Sequence, residues 1–399
     1  MAENIVHLVL ARTPGAPEGV KGISLFVVPK FLVNADGSLG KRNDVYCASI
    51  EHKLGIKASP TAVLIYGDDK GEVGAGAIGT LVGEENRGLE YMFIMMNAAR
   101  FAVGMQGVAL AERAYQKAAA FAKERVQSRD VAGSSGPVTI IHHPDVRRML
   151  MAMRAQTEAA RALSYVTAAA FDAAHHHPEA DTRRENQACY EFLVPIHKGW
   201  STEMSIDVAS LGVQVHGGMG FIEETGAAQY YRDARILTIY EGTTAIQAND
   251  LVGRKTARDG GATAYALCKQ IQATHESLAK SDSPDLRAIG TALAQGQGAL
   301  EAVVAFVVAQ YKSDIRAVFA GSVPYLKLAG IVLGGWQMGR AALVAHAHLK
   351  AGQGDTPFLQ AKIATARFYA DHYVRQASGI KESIVDGAAG TLALTADQF

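Results

Sequence analysis

The spacing of apolar residues changes along this chain from every second position to a helical period, and that switch limits what it can fold into. Up to about residue 80 the text is strand-like. Ile5 to Leu10 is one apolar run, Ile23-Ser24-Leu25-Phe26-Val27 places apolar side chains at alternate positions until Pro29, and Ala62 to Tyr66 is a further short strand. Asn34-Ala35-Asp36-Gly37-Ser38 reads as a turn, and the glycines between Gly71 and Gly79 mark a loop. From about residue 89 the period becomes helical. Phe93, Met96, Val103 and Leu110 share one face; Val146, Leu150 and Met153 share another. Leu193, Ile196, Trp200, Met204, Val208 and Leu211 form a third stripe, long enough for a bundle helix. Residues 128–137 and 174–186 read as connecting loops. Past a boundary at Gly253 to Gly261, the stripes resume with Leu300, Val303, Val304 and Val307, then Leu328, Val332 and Trp336. A break at Gly352 to Pro357 precedes Leu359, Ile363 and Ala370. The expected fold is mainly α with a partial β domain, and the lack of a 20–50-residue repeat disfavours a solenoid.

Composition narrows the function classes. The 399 residues suggest two to three domains, and 49% apolar with 20% charged residues supports a buried core and argues against disorder. Lys plus Arg and Asp plus Glu both count 39, so the formal net charge is zero. That argues against nonspecific nucleic-acid binding and against a basic membrane-surface protein. No run approaches the roughly 18 uninterrupted apolar residues that would read as a membrane span. Cys47, Cys189 and Cys268 are odd in number and far apart, which fits a reducing, cytoplasmic setting better than a disulfide framework. His142-His143 and His175-His176-His177 are adjacent rather than face-sharing, so no metal site is expected. Trp200 and Trp336 sit on apolar stripes and read as core.

Residues 211–251 carry the chemistry. Gly217, Gly218 and Gly220 permit a tight turn where backbone amides approach a ligand, and they equally suit a helix terminus ending in glycine. No strand precedes them, so the Rossmann fingerprint is not met. Glu241 follows Ile239-Tyr240 and precedes Gly242-Thr243-Thr244, which can start a helix with a threonine cap. A carboxylate in an apolar surround has its pKa raised towards general-base values, while the alternative is a helix-start glutamate favoured by the macrodipole.

The order of Gln214-Val215-His216-Gly217-Gly218-Met219-Gly220-Phe221, then Tyr231-Arg232-Asp233-Ala234, then Ile239-Tyr240-Glu241-Gly242-Thr243, resembles the acyl-CoA dehydrogenase family. Upstream, Gly22 to Pro29, Lys53 to Ser59 and Gly83 to Gly88 extend the likeness over some 230 residues. Met96 to Arg100, Ala209 to Gly218 and the added C-terminal helical section resemble the 3-methylmercaptopropionyl-CoA dehydrogenase branch.

The resemblance implies an incomplete β-barrel domain over 1–82, the family's C-terminal helical bundle over 83–256 and an additional helical domain over 257–399. It implies an FAD-dependent enzyme that turns an acyl-CoA thioester into the trans-2-enoyl-CoA. Glu241 would remove the α-proton. Gln214, Gly217 and Gly218 would hold the ADP part of FAD, usually that of the neighbouring subunit. Arg125, after Glu124, would face its pyrophosphate, and Thr243 and Ala245 would touch FAD again. Arg100 and Gly242 would lie at the substrate, although an interhelical ion pair suits Arg100 equally. Ser128 stands where the family has an aromatic residue, and Pro144 follows His143 where a His-Gln pair is common. The implied partners are an electron-transfer flavoprotein and further copies of the chain, as homodimer or homotetramer. The implied substrate is a 3-(methylthio)propanoyl thioester, with a medium or long straight chain as the alternative. Nothing matches the family's N-terminal helical domain or the opening strands of its β domain. The chain is therefore expected to be the C-terminal two-thirds of a longer enzyme. The competing expectation is a catalytically silent fragment or helical assembly module.

Overall fold

In the computed structural model the described residues are 3–399; Met1 and Ala2, the first two of the expected β segment, lie outside them. The chain divides into two compact units, Met1–Ala99 and Arg100–Phe399. The strands of the first unit are β1 (Val6–Ala11), β2 (Ser24–Pro29), β3 (Phe31–Val33), β4 (Leu39–Arg42), β5 (Val45–Ile50), β6 (Ala62–Tyr66) and β7 (Thr80–Leu81). Among the described residues they form three small antiparallel sheets, β1-β2-β7, β3-β4 and β5-β6. β1 and β2 pair from Val6 opposite Pro29 to Ala11 opposite Ser24. The expected turn closes β3 onto β4, with the Asn34 amide donating to Ser38 O and the Gly37 amide to Asn34 O. The glycine-rich loop after β6 is held by one buried carboxylate: Asp44 accepts from the amides of Asp69, Lys70 and Gly76 at 2.8–3.0 Å. Those amide donors, Lys70's foremost, hold the Asp44 carboxyl below the usual range.

The helices are α1 (Gly88–Glu124), α2 (Pro144–His176), α3 (Ala180–His216), α4 (Ala227–Leu237), α5 (Thr244–Asp250) and α6 (Ala262–Ala279). They continue with α7 (Pro284–Gln310), α8 (Ile315–Ala320), α9 (Ser322–Lys350), α10 (Thr356–His372), α11 (Ala377–Asp386) and α12 (Ala388–Thr391). The stripes read from the sequence converge. Met153, Leu193, Ile196, Trp200 and Val208 belong to the same apolar cluster as Leu300, Val303, Val304, Val307, Leu328, Val332 and Trp336. One core therefore runs from the bundle into the later helices. A Cβ on Gly330 of α9 would sit 2.2 Å from Trp200 Cγ, so the indole of α3 lies directly on the α9 backbone. Trp336 is also buried and donates through Nε1 to Thr274 Oγ1 at 2.8 Å.

Two local expectations are corrected and one gains detail. Residues 174–186, read as a loop, are mostly helix, since α2 continues through His176 and α3 starts at Ala180. Their polarity is that of an exposed helix surface, with Arg184 paired to Asp181 one turn away. The Gly253 to Gly261 boundary begins inside a π-helical stretch, Leu251–Ala257, which gives way to a turn over residues 258–261 with Gly260 and Gly261 left-handed. By length and composition α1, α7 and α9 are each apolar enough to cross a membrane, which a search for uninterrupted apolar runs does not reveal. In α9 that hydropathy faces neighbouring helices, and 78% of its most apolar window is buried.

Candidate functional site

At its C-terminus α3 reaches His216, and Gly217, with φ 59° and ψ −139°, turns the chain into a 3₁₀ turn over Gly217–Phe221. His216 is fixed from two sides: its Nδ1 is 2.7 Å from Gly212 O, and its ring stacks on Phe121 of α1 at 4.4 Å. A groove of about 820 Å³ opens beside this turn, and Arg125, Gln214, Gly217 and Gly218 all line it together with Phe121 and Ser128. A Cβ at Gly217 or Gly218 would meet nothing within 4 Å, so this wall is bare backbone facing open space. Arg125 lies just past α1, anchored by its own amide to Phe121 O and by its carbonyl to the Ile140 amide. Its guanidinium and the Gln214 carboxamide have no hydrogen-bond or ion-pair partner among the described residues, so both can serve a ligand. A guanidinium fork beside bare amides is chemistry for phosphate oxygens.

Thr243 and Ala245 do not line that groove. They open α5, where the Thr243 hydroxyl caps the helix by accepting from the Ile246 amide at 3.3 Å. Immediately before them, Glu241 and Gly242 are both left-handed, with φ 56° and 92°. For a residue with a Cβ this conformation costs about 1–3 kcal/mol and persists only when its surroundings enforce it. The enforcing groups surround the turn. The Thr244 amide donates to Thr238 O at 3.0 Å, Lys198 Nζ donates to Gly242 O at 2.6 Å, and Gln247 Nε2 lies 3.3 Å from Glu241 O. Glycine suits position 242 because its φ of 92° is one that side chains rarely adopt, and a Cβ there would also displace the Gln247 amide, 2.7 Å away.

The surround of Glu241 is not the apolar one expected. Ile239 and Tyr240 flank it, but Arg100 and Lys198 are cations close enough to feel its charge. Arg100, expected at the substrate, is turned into a buried ion pair with Asp250 at 3.5 Å, joining α1 to α5. Lys198 is completely buried; burial, with Arg100 adding to it, pushes its ammonium down to about 8. The sequence reading missed Lys198, Gln247 and Asp250. A signal existed for the first: His197 and Lys198 interrupt the otherwise apolar run Phe192 to Trp200 with ionisable groups.

Two family models lie end to end on the chain. "Acyl-CoA dehydrogenase, C-terminal domain" matches residues 86–255, and "Acetyl-CoA dehydrogenase C-terminal like" matches residues 267–395. The chain belongs to the acyl-CoA dehydrogenase family. The 3-methylmercaptopropionyl-CoA dehydrogenase of Ruegeria pomeroyi is 56% identical over 97% of this chain and 64% of that protein. A broad-specificity linear acyl-CoA dehydrogenase of Mycobacterium tuberculosis is 38% identical over 96% of this chain and 64% of its own length. The chain thus spans somewhat less than two thirds of these curated relatives. A crystal structure of an acyl-CoA dehydrogenase complexed with FAD from Bacillus anthracis shares the fold, with a TM-score of 0.71 at 21% identity, covering 98% of this chain and 62% of that one. The chain therefore has the mainly helical fold with small antiparallel sheets that its sequence implied.

Proposed function

We propose that this chain supplies the catalytic base and the nucleotide-end contacts of an FAD-dependent acyl-CoA dehydrogenase. The observation that carries this reading is Glu241, held left-handed by groups from two other helical segments at the glutamate of the family motif. Its carboxylate takes the α-proton of the acyl thioester, and the electron pair of that bond becomes the new α,β double bond as the β-hydride departs. The flavin, when bound, supplies the hydride acceptor. The product is the trans-2-enoyl-CoA.

The groove fits the diphosphate end of FAD. Arg125 and Gln214 offer unengaged donors, and Gly217 and Gly218 let a ligand approach the backbone. Thr243 and Ala245 stand apart from it, which suits contacts to two flavins in an assembly of like subunits. Beside the groove Phe221 is 85% exposed, with Met219 and Ile222 also exposed, and a second copy in a homodimer or homotetramer would cover them. The Ruegeria relative's name supports a 3-(methylthio)propanoyl thioester as substrate, with a straight acyl chain as the alternative. An electron-transfer flavoprotein is the proposed electron acceptor.

Glu241→Gln tests the assignment. Turnover and α-proton exchange should fall by about 10²–10⁴-fold, the range for losing a positioned general base, while flavin absorbance is retained. Normal exchange in that variant would sink the base. The second reading, a silent assembly module, draws on the apolar face of β1, where Val6, Leu8 and Leu10 are exposed at alternate positions. A purified chain that stays colourless with added FAD would favour that reading.

A further inference from the structure

Glu241 and Gly242 form two consecutive left-handed residues, and among the described residues the side chains that hydrogen-bond their carbonyls are Lys198 and Gln247. We infer that Lys198 and Gln247 are positioning residues, which hold this turn and thereby aim the Glu241 carboxylate. The inference rests on the reading of Glu241 as the base.

Lys198 is the first argument. A fully buried ammonium is ordinarily tolerated through an ion pair. No carboxylate lies within ion-pair distance of Nζ among the described residues, and its bonded partner is a neutral carbonyl, Gly242 O, at 2.6 Å. A charge so placed has little stabilising value to a core. It makes a strong charge-assisted bond to the carbonyl of Gly242, the second left-handed residue of the turn.

Gln247 is the second. Its Nε2 lies 3.3 Å from Glu241 O and 3.2 Å from Gly242 O, while its own Oε1 is buried without a hydrogen-bond partner. The amide satisfies the turn and leaves its oxygen unpaired, an arrangement that general packing does not favour. The two side chains reach the turn from different helices, Lys198 from α3 and Gln247 from α5, so the turn is over-determined as a strained functional residue requires.

The arrangement also predicts a pH dependence. The charged groups facing Lys198 are Arg100 from α1, Glu203 from α3 itself and Glu241 from the turn. Burial first, and then Arg100, bring its ammonium down to about 8, against the opposing pull of Glu203 and Glu241. Below that pH the charge-assisted bond is present; as pH rises through it the charge is lost and the turn loosens.

The test uses the flavin-loaded protein with Lys198→Met and Gln247→Leu, read by steady-state kinetics and by amide exchange of residues 239–247. Each variant should lower kcat about 10–100-fold with KM changed by no more than about twofold, as for a misaimed catalytic group. Exchange in 239–247 should quicken in both, while the amides of α3 keep their protection. The fall in kcat above about pH 8 should disappear in Lys198→Met. Unchanged kcat, pH profile and exchange in both variants overturn the inference. So does a loss of protection through α3 in both, because the side chains are then core residues. Should Glu241→Gln itself turn over normally, the base assignment fails first; an inactive Glu241→Gln beside an unchanged Lys198→Met removes only the positioning role.

Discussion

The β unit and the helical unit are held together in different ways. In the β unit the buried apolar side chains among the described residues are Leu25, Val28 and Val45, while at the meeting of strands and loops sit two fully buried polar residues, Asn43 and Asp44. Asn43 alone bonds Pro29 O, Ile78 O and the amide of Ile78. The helical unit instead packs α2, α3, α7, α9 and α10 around one apolar cluster, with an indole lying against bare helix backbone. The two units also show different ways of holding a left-handed residue. Left-handed Asp69 of the β unit and Ser128 of the helical unit occupy exposed loops, whereas the turn of half-buried Glu241 is held by Lys198 and Gln247 from two helices.

Substitutions can break or sharpen that contrast. Gly330→Ala in α9 should have the largest effect on stability. The added methyl meets Trp200 at 2.2–2.6 Å, and such overpacking should remove about 3 kcal/mol, read as a lower thermal midpoint of the helical unit. An unshifted midpoint would mean that the core is far softer than its packing implies. Asn43→Ala should cost about 2 kcal/mol through the buried backbone groups it leaves unpaired. That loss should appear as faster amide exchange around Ile78 with α3 unaffected; equal losses in both units would erase the distinction. Thr243→Ala removes the α5 cap and should cost about 1 kcal/mol, detected as faster exchange over residues 244–248.

The smallest effect is one of pH. Asp44 is held below its ordinary value in the folded state, so its contribution is present above about pH 4 and fades as pH falls through the lowered value. Protection of the Asp69, Lys70 and Gly76 amides should therefore decline in acid before that of α3. Simultaneous loss would show that Asp44 does not anchor the loop.

Much of this organisation is legible without coordinates because it is local. Alternation marked β2, and short apolar runs marked β1 and β6, to within a residue or two, and glycine and proline marked the break between α9 and α10. The polar stretch 174–186 misled because polarity reports exposure, and an exposed helix surface is as polar as a loop. Of the site, Glu241 and the glycines were visible as motif residues in sequence. Their geometry was not, since neither the left-handed turn nor the gathering of Arg125 with Gln214, Gly217 and Gly218 follows from spacing along the chain.

The sequence by itself determined the switch from β to α, the stripes that become one core, the helix breaks and the family. All of these reside in short-range periodicity or in ordered motifs. Only the tertiary structure decided that Lys198 meets a carbonyl 44 residues away, that Arg100 turns to Asp250, and that Thr243 and Ala245 stand outside the groove. Those choices depend on which helix faces meet, and a buried charge takes its partner from whatever backbone or side chain the packing brings within about 3 Å.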